Sequence, residues 1–574
     1  MFRKNDAHRQ ASMFSAEAWL PERLRQQLAT SWAATFYREV FSRIDETLFA
    51  EMYSTTASRP NVPVNVLVGA EILKSGYGWS DDELYEQVSF NLQVRHALGL
   101  QDLGAQMFTL RTLYNFRRRI REYTVETGRN LMQAVFEDVT DTQLEAVAVA
   151  TGWQRMDSTQ VLSNLAHSTR LELLVGVVQA VNQQLRSAQQ QRWQARMGSY
   201  LEGRPHQVCY RIRGKEETDH LITIGQLLAD LETELKSTQP ASEVLALIQR
   251  VLDEQYIRKP DSPVQLRPAA EVATDSLQSP HDEDATYRVK GGKTYRGGYV
   301  INVSETADPK NPVQLLTDVQ VEPNITDDAQ LLKQSLENQV ARGLEVQQIT
   351  TDGGYTGPTS DAVCSQHKVE LRATHMRGGR SAAHHWGWEA YTWEVGSNGL
   401  PCRVTCPQDN TVVLSTRNGT RFVAHFDPTH CAECPFYEGL CRVRARKRAG
   451  PTLHVKLSMI AAARRRASLH PEDCPLRTVV EATVREVKHP FAAGKLPVRG
   501  LIRARMVVYG SALMVNLRRL HRFGTAKPES DLQAGSDTPL PILSYVISRF
   551  KWHFQARLAR LCLYRTCNGP VPSH

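Results

Sequence analysis

The chain has 574 residues, 41% of them hydrophobic and 23% charged, and a net charge of +8, a composition that excludes collagen, a membrane channel and a wholly disordered chain. It contains no run of 18 apolar residues, and its first ten residues lead into no apolar segment of the kind found in signal peptides. Because its ten cysteines are few for this length, the sequence predicts a large cytoplasmic protein with reduced thiols and no membrane partner.

Residues 14–139 are predicted to form a helical domain. Apolar residues recur at helical spacing over Val62–Tyr77, and Gly78 ends that segment. Ser80 and Glu83 have the spacing of a capping box, in which both side chains accept hydrogen bonds from backbone N–H groups at the start of the next helix. The pattern therefore predicts two consecutive helices separated by a short turn.

A third helix, which opens near Thr109, is the most basic part of this domain. Its arginines are Arg111, Arg117, Arg118, Arg119 and Arg121. Three short helices of which the last is basic are typical of helix-turn-helix proteins, whose final helix lies in the major groove of DNA. A helical bundle with a solvated arginine face explains the pattern equally well, so this stretch alone does not decide between the two.

Residues 150–374 are predicted to form the first part of an α/β core, with a helical insertion at about 163–285. The predicted strands are Trp153–Met156, Tyr295–Ser304, Val313–Val321, Val346–Thr351 and Val369–Ala373. Amphipathic spacing predicts a helix over Asp327–Val340, and Pro358 is expected near the start of another helix. Strands and helices therefore alternate in this part of the chain.

Two aspartates, Asp157 and Asp352, each come directly after a predicted strand. Open α/β sheets bind ligands in the crevice outside the carboxyl ends of their strands, so both carboxylates are candidate site residues. Gly353 and Gly354 would let the backbone turn away sharply and leave room for a large substrate. An aspartate at a strand end also commonly caps a helix or forms a turn, and for either residue alone that explanation stays open.

A glutamate in a later helix completes a possible set of three carboxylates. The helix is predicted from Pro475 to Lys488, because proline suits the first helical turn. At about 100° per residue, Arg477, Glu481 and Lys488 fall within about 40° on one face, whereas Glu486 lies about 140° from Glu481. An adjacent apolar stripe that could pack on a sheet is formed by Val480, Val484 and Val487. An ordinary amphipathic helix with an Arg–Glu pair four residues apart is the alternative.

The chemistry of these residues favours a divalent metal. Two aspartates and one glutamate, Asp157, Asp352 and Glu481, offer hard oxygen ligands, which suit Mg²⁺ or Mn²⁺ rather than zinc. Two such ions a few ångströms apart stabilise the attacking and the leaving oxygen of a phosphodiester displacement. The neighbouring Arg477 and Lys488 would hold phosphates that the metals do not reach.

Residues 375–456 are predicted to form a polar insertion that contains several cysteines. Two of them are separated by two residues, which is the spacing of paired metal ligands, and two more would complete a tetrahedral four-thiolate zinc site. The four predicted ligands are Cys406, Cys431, Cys434 and Cys441. Cys402 or His430 could take the place of one of them. The pattern predicts a structural zinc ion, with reduced free thiols as the alternative.

The end of the chain is strongly basic. Residues 457–524 are predicted to hold the Glu481 helix and the basic last part of the core, and residues 525–574 a basic extension. From Cys441 to His574 the chain has 25 Lys and Arg against 7 Asp and Glu. Phosphate contacts come mainly from Arg and Lys, so this region favours a nucleic-acid partner. An anionic membrane surface or a solvated basic tail are the alternatives.

These motifs together resemble a DDE transposase of a bacterial insertion sequence. A large subgroup of these enzymes has a Tyr-x2-Arg-x3-Glu-x6-Lys signature around the third carboxylate, and Arg477, Glu481 and Lys488 match its spacing, with Cys474 at the tyrosine position. The stretch Gly78–Leu84 also resembles the helical N-terminal domain of such transposases. The resemblance covers most of the chain from about residue 15 to residue 520.

The resemblance implies an α/β fold: a ribonuclease H-like mixed sheet with flanking helices, preceded by an all-helical N-terminal domain and carrying the helical and cysteine-rich insertions. Asp157 would bridge two Mg²⁺ (or Mn²⁺) ions, with Asp352 and Glu481 each holding one, and Arg477 and Lys488 would steady the DNA backbone. A homodimer in the bacterial nucleoid would cleave double-stranded DNA at the element ends and join the freed 3′ ends to target DNA. The N-terminal helices and the basic C-terminal region would bind the element ends.

Two other classes of function fit parts of the sequence. A catalytically silent DNA-binding protein derived from a transposase would keep the basic surface but would not cleave DNA. A zinc-organised interaction module would leave the carboxylates as surface groups. Metal-dependent cleavage separates the transposase from both.

Overall fold

The computed structural model describes most of the chain up to Thr525. The described residues are 1–10, 15–54, 60–102, 108–166, 168–210, 212–259, 262–376, 385–396, 400–416, 418–437, 439–446 and 449–525. Apart from Thr525, the basic extension predicted for 525–574 lies outside them. Residues Met1–Phe523 form one compact unit. Within the described ranges, no helix is both long enough and apolar enough to cross a membrane.

The N-terminal part is helical, as predicted. Its helices are α1 (Glu22–Ala29), α2 (Trp32–Glu39), α3 (Val64–Tyr77), α4 (Asp81–Phe90), α5 (Leu92–Ala97), α6 (Leu110–Thr127) and α7 (Leu131–Ala146). Gly78 ends α3 with a φ of 72°, a left-handed conformation that glycine adopts without strain. The capping box of α4 is confirmed: Ser80 Oγ accepts from the Glu83 N–H at 3.1 Å, and Glu83 Oε2 accepts from the Ser80 N–H at 2.7 Å.

Two of the arginines on α6 are engaged inside the protein. Arg117 donates from Nε to Glu71 at 2.6 Å and from its two Nη atoms to Asp81 at 2.9 and 2.7 Å. Burial opposes its charge, but these two carboxylates outweigh that effect and raise the pKa of Arg117. Arg119 lies over the ring of Tyr53, 4.9 Å from its centroid. A DNA-binding face on α6 therefore has fewer arginines than the sequence suggests.

Strand β1 spans Trp153–Leu162 and is longer than predicted. The prediction that it ends at Met156, with Asp157 beyond its end, is wrong: the strand continues through Asp157 because a later strand pairs with it and satisfies its backbone hydrogen bonds. The insertion that follows contains α8 (Arg170–Gln184), α9 (Ser187–Leu201), α10 (Pro205–Cys209), α11 (Lys215–Thr238), α12 (Glu243–Gln255) and the short strands β2 (Tyr256–Ile257) and β3 (Gln265–Leu266). Its helices bury a hydrophobic core of their own.

The rest of the central sheet follows this insertion. Its elements are β4 (Thr286–Lys290), β5 (Lys293–Thr306), β6 (Leu316–Pro323), α13 (Asp328–Ala341), β7 (Gln348–Thr351), α14 (Pro358–His367) and β8 (Glu370–Ala373). β5 is antiparallel to β1 on one side and to β4 and β6 on the other. β7 lies beside β1 and β8 beside β7, both in parallel pairs. The predicted strands and helices of this region are confirmed, and β4 is an additional strand.

The cysteine-containing insertion is mainly β-structure. Its elements are β9 (Thr392–Val395), β10 (Pro401–Thr405), β11 (Thr411–Thr416), β12 (Arg421–His425), α15 (Pro428–Glu433), β13 (Arg444–Arg446) and β14 (Gly450–Lys456). The six strands form a separate antiparallel sheet in the order β13-β14-β12-β11-β10-β9. This sheet has its own hydrophobic core.

Three helices end the described chain: α16 (Leu457–Ala467), α17 (Cys474–Lys488) and α18 (Leu501–Thr525). The predicted helix over Pro475 to Lys488 is confirmed as α17. One hydrophobic core joins the N-terminal helices, the central sheet, α17 and α18, and the rings of Phe136 and Tyr509 lie 5.8 Å apart within it. Asn516, fully buried in α18, accepts from the Leu316 N–H at 2.8 Å and donates to the Leu316 carbonyl at 3.2 Å.

The basic side chains of α18 do not form one DNA-facing surface. Arg505 is ion-paired with Glu322 at 2.6 Å, and Arg518 donates to the Gly76 carbonyl at 2.5 Å. Arg519 is ion-paired with a buried glutamate on β5. These three arginines are therefore held by acceptors inside the protein, which reduces the positive charge that α18 offers to DNA.

Candidate active site

The register of β1 and β7 brings the two aspartates together. Arg155 pairs with Thr350 in this parallel ladder, and continuing the register by two residues places Asp157 beside Asp352, directly after the end of β7. Neighbouring strands of a sheet lie about 4.8 Å apart. The two aspartates are therefore far apart in the sequence but close in space, because they lie on adjacent strands.

Asp352 forms the turn that follows β7. It is only 9% exposed, and its Oδ1 accepts from the Gly354 N–H at 2.8 Å, so that it caps the short 3₁₀ turn Gly353–Tyr355. The turn-forming explanation is thus confirmed for Asp352, and it does not compete with a role in the site. The turn fixes the carboxylate at the carboxyl end of β7.

The two glycines after Asp352 are needed for close packing. A Cβ atom at Gly353 would lie 2.0 Å from the His375 carbonyl oxygen, and a Cβ atom at Gly354 would lie 2.9 Å from a carboxylate oxygen of both Asp328 and Asp352. The expectation that this pair leaves room for a substrate is therefore wrong at Gly353, where the absent side chain makes room for the chain's own backbone.

Helix α17 presents Glu481 as predicted. Its valine stripe, Val480, Val484 and Val487, is buried, and Val484 and Val487 belong to the central hydrophobic core. On the exposed side, Glu481 Oε1 lies 2.9 Å from Arg477 Nη2. Glu486 points elsewhere, towards α18, where it is ion-paired with Arg519 at 3.2 Å. The structure therefore separates the two glutamates of the helix in the way that the helical arithmetic predicts.

The three predicted carboxylates share one electrostatic environment. The pKa of Asp157 is raised to about 6, mainly by burial and further by the negative charges of Asp352 and Glu481. The Ser158 backbone N–H and the positive charge of Arg477 act in the opposite direction. Since like charges disfavour each other's ionised form, the neighbouring carboxylates make Asp157 easier to protonate and favour a cation beside it.

Lys488 is anchored on the same strand as Asp157. Its ammonium group donates to Thr159 Oγ1 at 3.0 Å and to the Gln160 carbonyl at 2.9 Å, and burial lowers its pKa. A cavity of about 550 Å³ opens here between β1 and α17, and both Asp157 and Glu481 line it. An ammonium has three donors, so one donor of Lys488 remains for a ligand in this cavity.

A fourth carboxylate, Asp328, was missed by the sequence analysis. It lies in the first turn of α13, is 6% exposed, and accepts from Ser158 Oγ at 2.8 Å. Lys290 Nζ lies 3.5 Å from its other oxygen. Burial and the charges of Asp157, Asp328 and Asp352 raise the pKa of the fully buried Tyr355, which places all three aspartates around one ring. In the sequence, the pair Asp327-Asp328 at the start of a predicted helix is the feature that could have indicated this carboxylate.

A buried charge cluster connects β1 to α17. Glu305 on β5 is fully buried and accepts from Arg155 Nε at 2.7 Å, from Thr483 Oγ1 at 2.8 Å and from Arg519 Nη1 at 2.5 Å. Arg155 is two residues before Asp157, and Thr483 is two residues after the candidate glutamate of α17. The cluster therefore holds the strand and the helix that carry two of the candidate carboxylates.

The donors fit a hard divalent cation by their chemistry, but they do not enclose one. Among the described residues, no group of three or more His, Cys, Asp or Glu side chains is arranged to hold a metal ion. In the carboxylate cluster this agrees with the position of Glu481, whose carboxylate is paired with Arg477. Oxygen-only ligands of this kind suit Mg²⁺ or Mn²⁺.

The structure places Cys406, Cys434 and Cys441 near Cys431, but among the described residues no three of these thiols are arranged to hold a metal ion. Burial, followed by the neighbouring thiols of Cys441, Cys406 and Cys434, raises the pKa of Cys431 to about 11. Cys431 and Cys441 are buried. Cys402, the alternative ligand, directs its thiol at the Glu394 carbonyl, with 3.6 Å between sulfur and oxygen. Cys402 therefore has a partner of its own outside this group of thiols.

Two families match separate parts of the chain. Residues 24–119 match a family described as a transposase domain (DUF772), and residues 405–521 match a family described as a transposase DDE domain. The first match covers α1 to α5 and part of α6, and the second includes Glu481 with α17 and most of α18. Comparisons with curated proteins and with solved structures gave no match.

Proposed function

We propose that this chain is a DDE-type transposase of an insertion sequence, as the matches of two of its segments to transposase families indicate, and that it cleaves DNA at the ends of its element in a metal-dependent reaction. The freed 3′ ends would then be joined to target DNA. The observation that carries this proposal is the register of β1 and β7, which places Asp157 beside Asp352 within reach of the charge of Glu481.

Asp157, Asp352 and Glu481 would hold Mg²⁺ or Mn²⁺. Bound divalent ions would stabilise the charge that develops on the attacking and leaving oxygens of a phosphodiester. Arg477 lies beside Glu481, with 2.9 Å between Nη2 and Oε1, and Lys488 has a remaining donor. Both side chains would bind DNA phosphates beside the carboxylates.

The fold and the assembly complete the proposal. We infer a ribonuclease H-like core from the mixed sheet, in which β5 is antiparallel to β1 while β7 and β8 are parallel to it. The substrate would be double-stranded DNA, and two copies of the chain would act on the two element ends in the bacterial cytoplasm. Because the three carboxylates are all present and share one environment, a catalytically silent DNA-binding protein gains no support.

The proposal is tested by strand cleavage of a plasmid that carries the element's own ends. In Mg²⁺ the wild-type protein should nick the element ends, and EDTA should abolish nicking. Glu481→Gln should lower the rate by about 100-fold or more, as loss of a group that stabilises transition-state charge does.

Glu486→Gln is the matched control, because it makes the same change on the same helix at a residue that is ion-paired with α18. It should leave cleavage close to that of the wild type. If the two glutamine variants cleave DNA equally well, Glu481 is not a catalytic residue and the assignment of the site is wrong.

A structural zinc ion in the antiparallel sheet is a separate proposal, supported by the neighbouring thiols of Cys406, Cys431, Cys434 and Cys441. The purified protein should contain about one zinc per chain, since four thiolates suffice for a closed tetrahedral site. Cys434→Ser should lose the metal, whereas Cys402→Ser should keep it. Metal analysis of the three proteins checks this, and full zinc content in Cys434→Ser would contradict it.

A further inference from the structure

A second cleft, of about 610 Å³, lies between α6 and the segment that leads into α18. Six basic side chains and two acidic side chains line it. One wall is formed by α6, where Tyr114, Arg118 and Arg121 lie within about 60° on one helical face. The other wall carries Arg499 and Arg503. We refer to this space as the arginine cleft.

The acidic groups of the arginine cleft are already neutralised. Glu71 and Asp81 both accept from Arg117, and Lys74 Nζ lies 3.3 Å from an oxygen of Asp81. Two cations therefore meet two carboxylates at this end of the cleft. The remaining positive charges of the cleft have no acidic counterpart in its lining.

Those remaining charges belong to four exposed arginines on opposite walls. Arg499 uses its Nε to donate to the Asn164 carbonyl at 2.7 Å, which leaves its other donors. Arg118 has an ion pair with an exposed glutamate at 3.1 Å, and such surface pairs contribute little. In the described part of the chain, Arg121 and Arg503 have no carboxylate within ion-pair distance. A partner with closely spaced negative charges would satisfy all four.

The same two segments of the chain connect the arginine cleft to the cavity lined by Asp157 and Glu481. β1 carries Asp157 in the catalytic cavity and leads to Asn164 in the arginine cleft. The loop between α17 and α18 runs beside it, and the Leu496 N–H donates to the Leu162 carbonyl at 2.8 Å. The strand from Asp157 to Leu162 spans roughly 17 Å, which is the length of about five base pairs of DNA.

We propose that the arginine cleft binds the phosphate backbone of the same duplex whose end lies at the three carboxylates, about five base pairs or more inside that end. This rests on the proposed function and adds to it a second contact that holds the duplex along β1. Arg118 and Arg121 on one wall and Arg499 and Arg503 on the other would contact phosphates, which need no particular base sequence.

The test measures the affinity for a labelled 30-base-pair duplex of arbitrary sequence at KCl concentrations from 50 to 200 mM. The logarithm of the affinity falls linearly with the logarithm of the salt concentration, and each lost phosphate contact makes this slope about 0.9 less steep. Arg121→Gln/Arg503→Gln should therefore lower the slope by about 1.8 and weaken binding. Arg23→Gln/Arg192→Gln removes two exposed arginines outside the cleft and should leave the slope unchanged.

Two further variants keep the test decisive. Arg121→Lys/Arg503→Lys retains the charges and should retain the slope, because lysine also binds phosphate as a point charge. Arg118→Gln/Arg499→Gln should repeat the loss, which guards against misfolding of one variant. An unchanged slope in both glutamine variants overturns the cleft proposal while cleavage by the wild type still stands. A wild type that neither binds the duplex nor cleaves DNA would overturn the proposed function as well.

Discussion

Asp157→Asn is expected to abolish metal-dependent nicking and, at the same time, to stabilise the protein in the absence of metal. Activity should fall by about 1,000-fold or more, because the variant loses a carboxylate that would stabilise charge in the transition state. Stability should rise because asparagine has the shape of aspartate without its charge, and that charge lies partly buried beside Asp352 and Glu481. Loss of function with a gain in stability is typical of active-site residues.

The pH dependence of this gain has a definite sign. The pKa of Asp157 is about 6 in the folded protein and 3.8 without perturbation, so the folded state binds the proton more tightly. Wild-type stability therefore falls as the pH rises from about 4 to about 6. Above that window, ionised Asp157 lowers the free energy of unfolding of the wild type by about 1–3 kcal/mol. Asp157→Asn lacks this charge and therefore does not lose that stability.

Urea unfolding in EDTA at pH 4.5 and pH 7.5 measures this effect. The free energy of unfolding of Asp157→Asn should exceed that of the wild type at pH 7.5, and the difference should shrink at pH 4.5. Asp361→Asn is the control, since this exposed carboxylate is ion-paired with Arg465 at 2.6 Å. A variant that is less stable than the wild type at pH 7.5 would show that Asp157 is a structural residue.

Much of the site could be predicted because its residues follow local patterns. The valine stripe of α17 and the angle between Glu481 and Glu486 depend only on helical periodicity, and both agree with the structure. The position of Asp157 beside Asp352 needed the additional fact that β1 and β7 are adjacent, which no local pattern contains. The family resemblance supplied that fact.

Other features depend on distant parts of the chain and could not be predicted. The extension of β1 to Leu162 exists because β5, more than 130 residues later, pairs with it. Arg117 and Arg519 are basic residues in the two regions that the resemblance assigns to DNA binding, yet each is held by carboxylates from other elements. The sequence shows where the Arg and Lys residues are. It does not show which of them form ion pairs with carboxylates that are distant in the sequence and close only in the folded protein.

The same dependence on distant partners makes Glu305 a residue whose substitution should lower the stability strongly. Glu305→Gln keeps the shape of the side chain but removes the charge that faces Arg155 and Arg519, whose side chains are only 6% and 14% exposed. Removing one partner of a buried ion pair costs about 3–5 kcal/mol, because the other charges stay buried without compensation. The free energy of unfolding should therefore fall by that amount.

Glu322→Gln is the matched control, because it removes one partner of a less buried ion pair, with Arg505 at 2.6 Å, and should cost about 1 kcal/mol or less. A loss below about 1 kcal/mol in Glu305→Gln would mean that the cluster does not hold α17 on β1. With the larger loss, DNA cleavage should also fall in protein that is still folded, because Arg155 and Thr483 each lie two residues from a candidate catalytic carboxylate. The buried charges would then be the means by which the fold keeps Glu481 opposite Asp157.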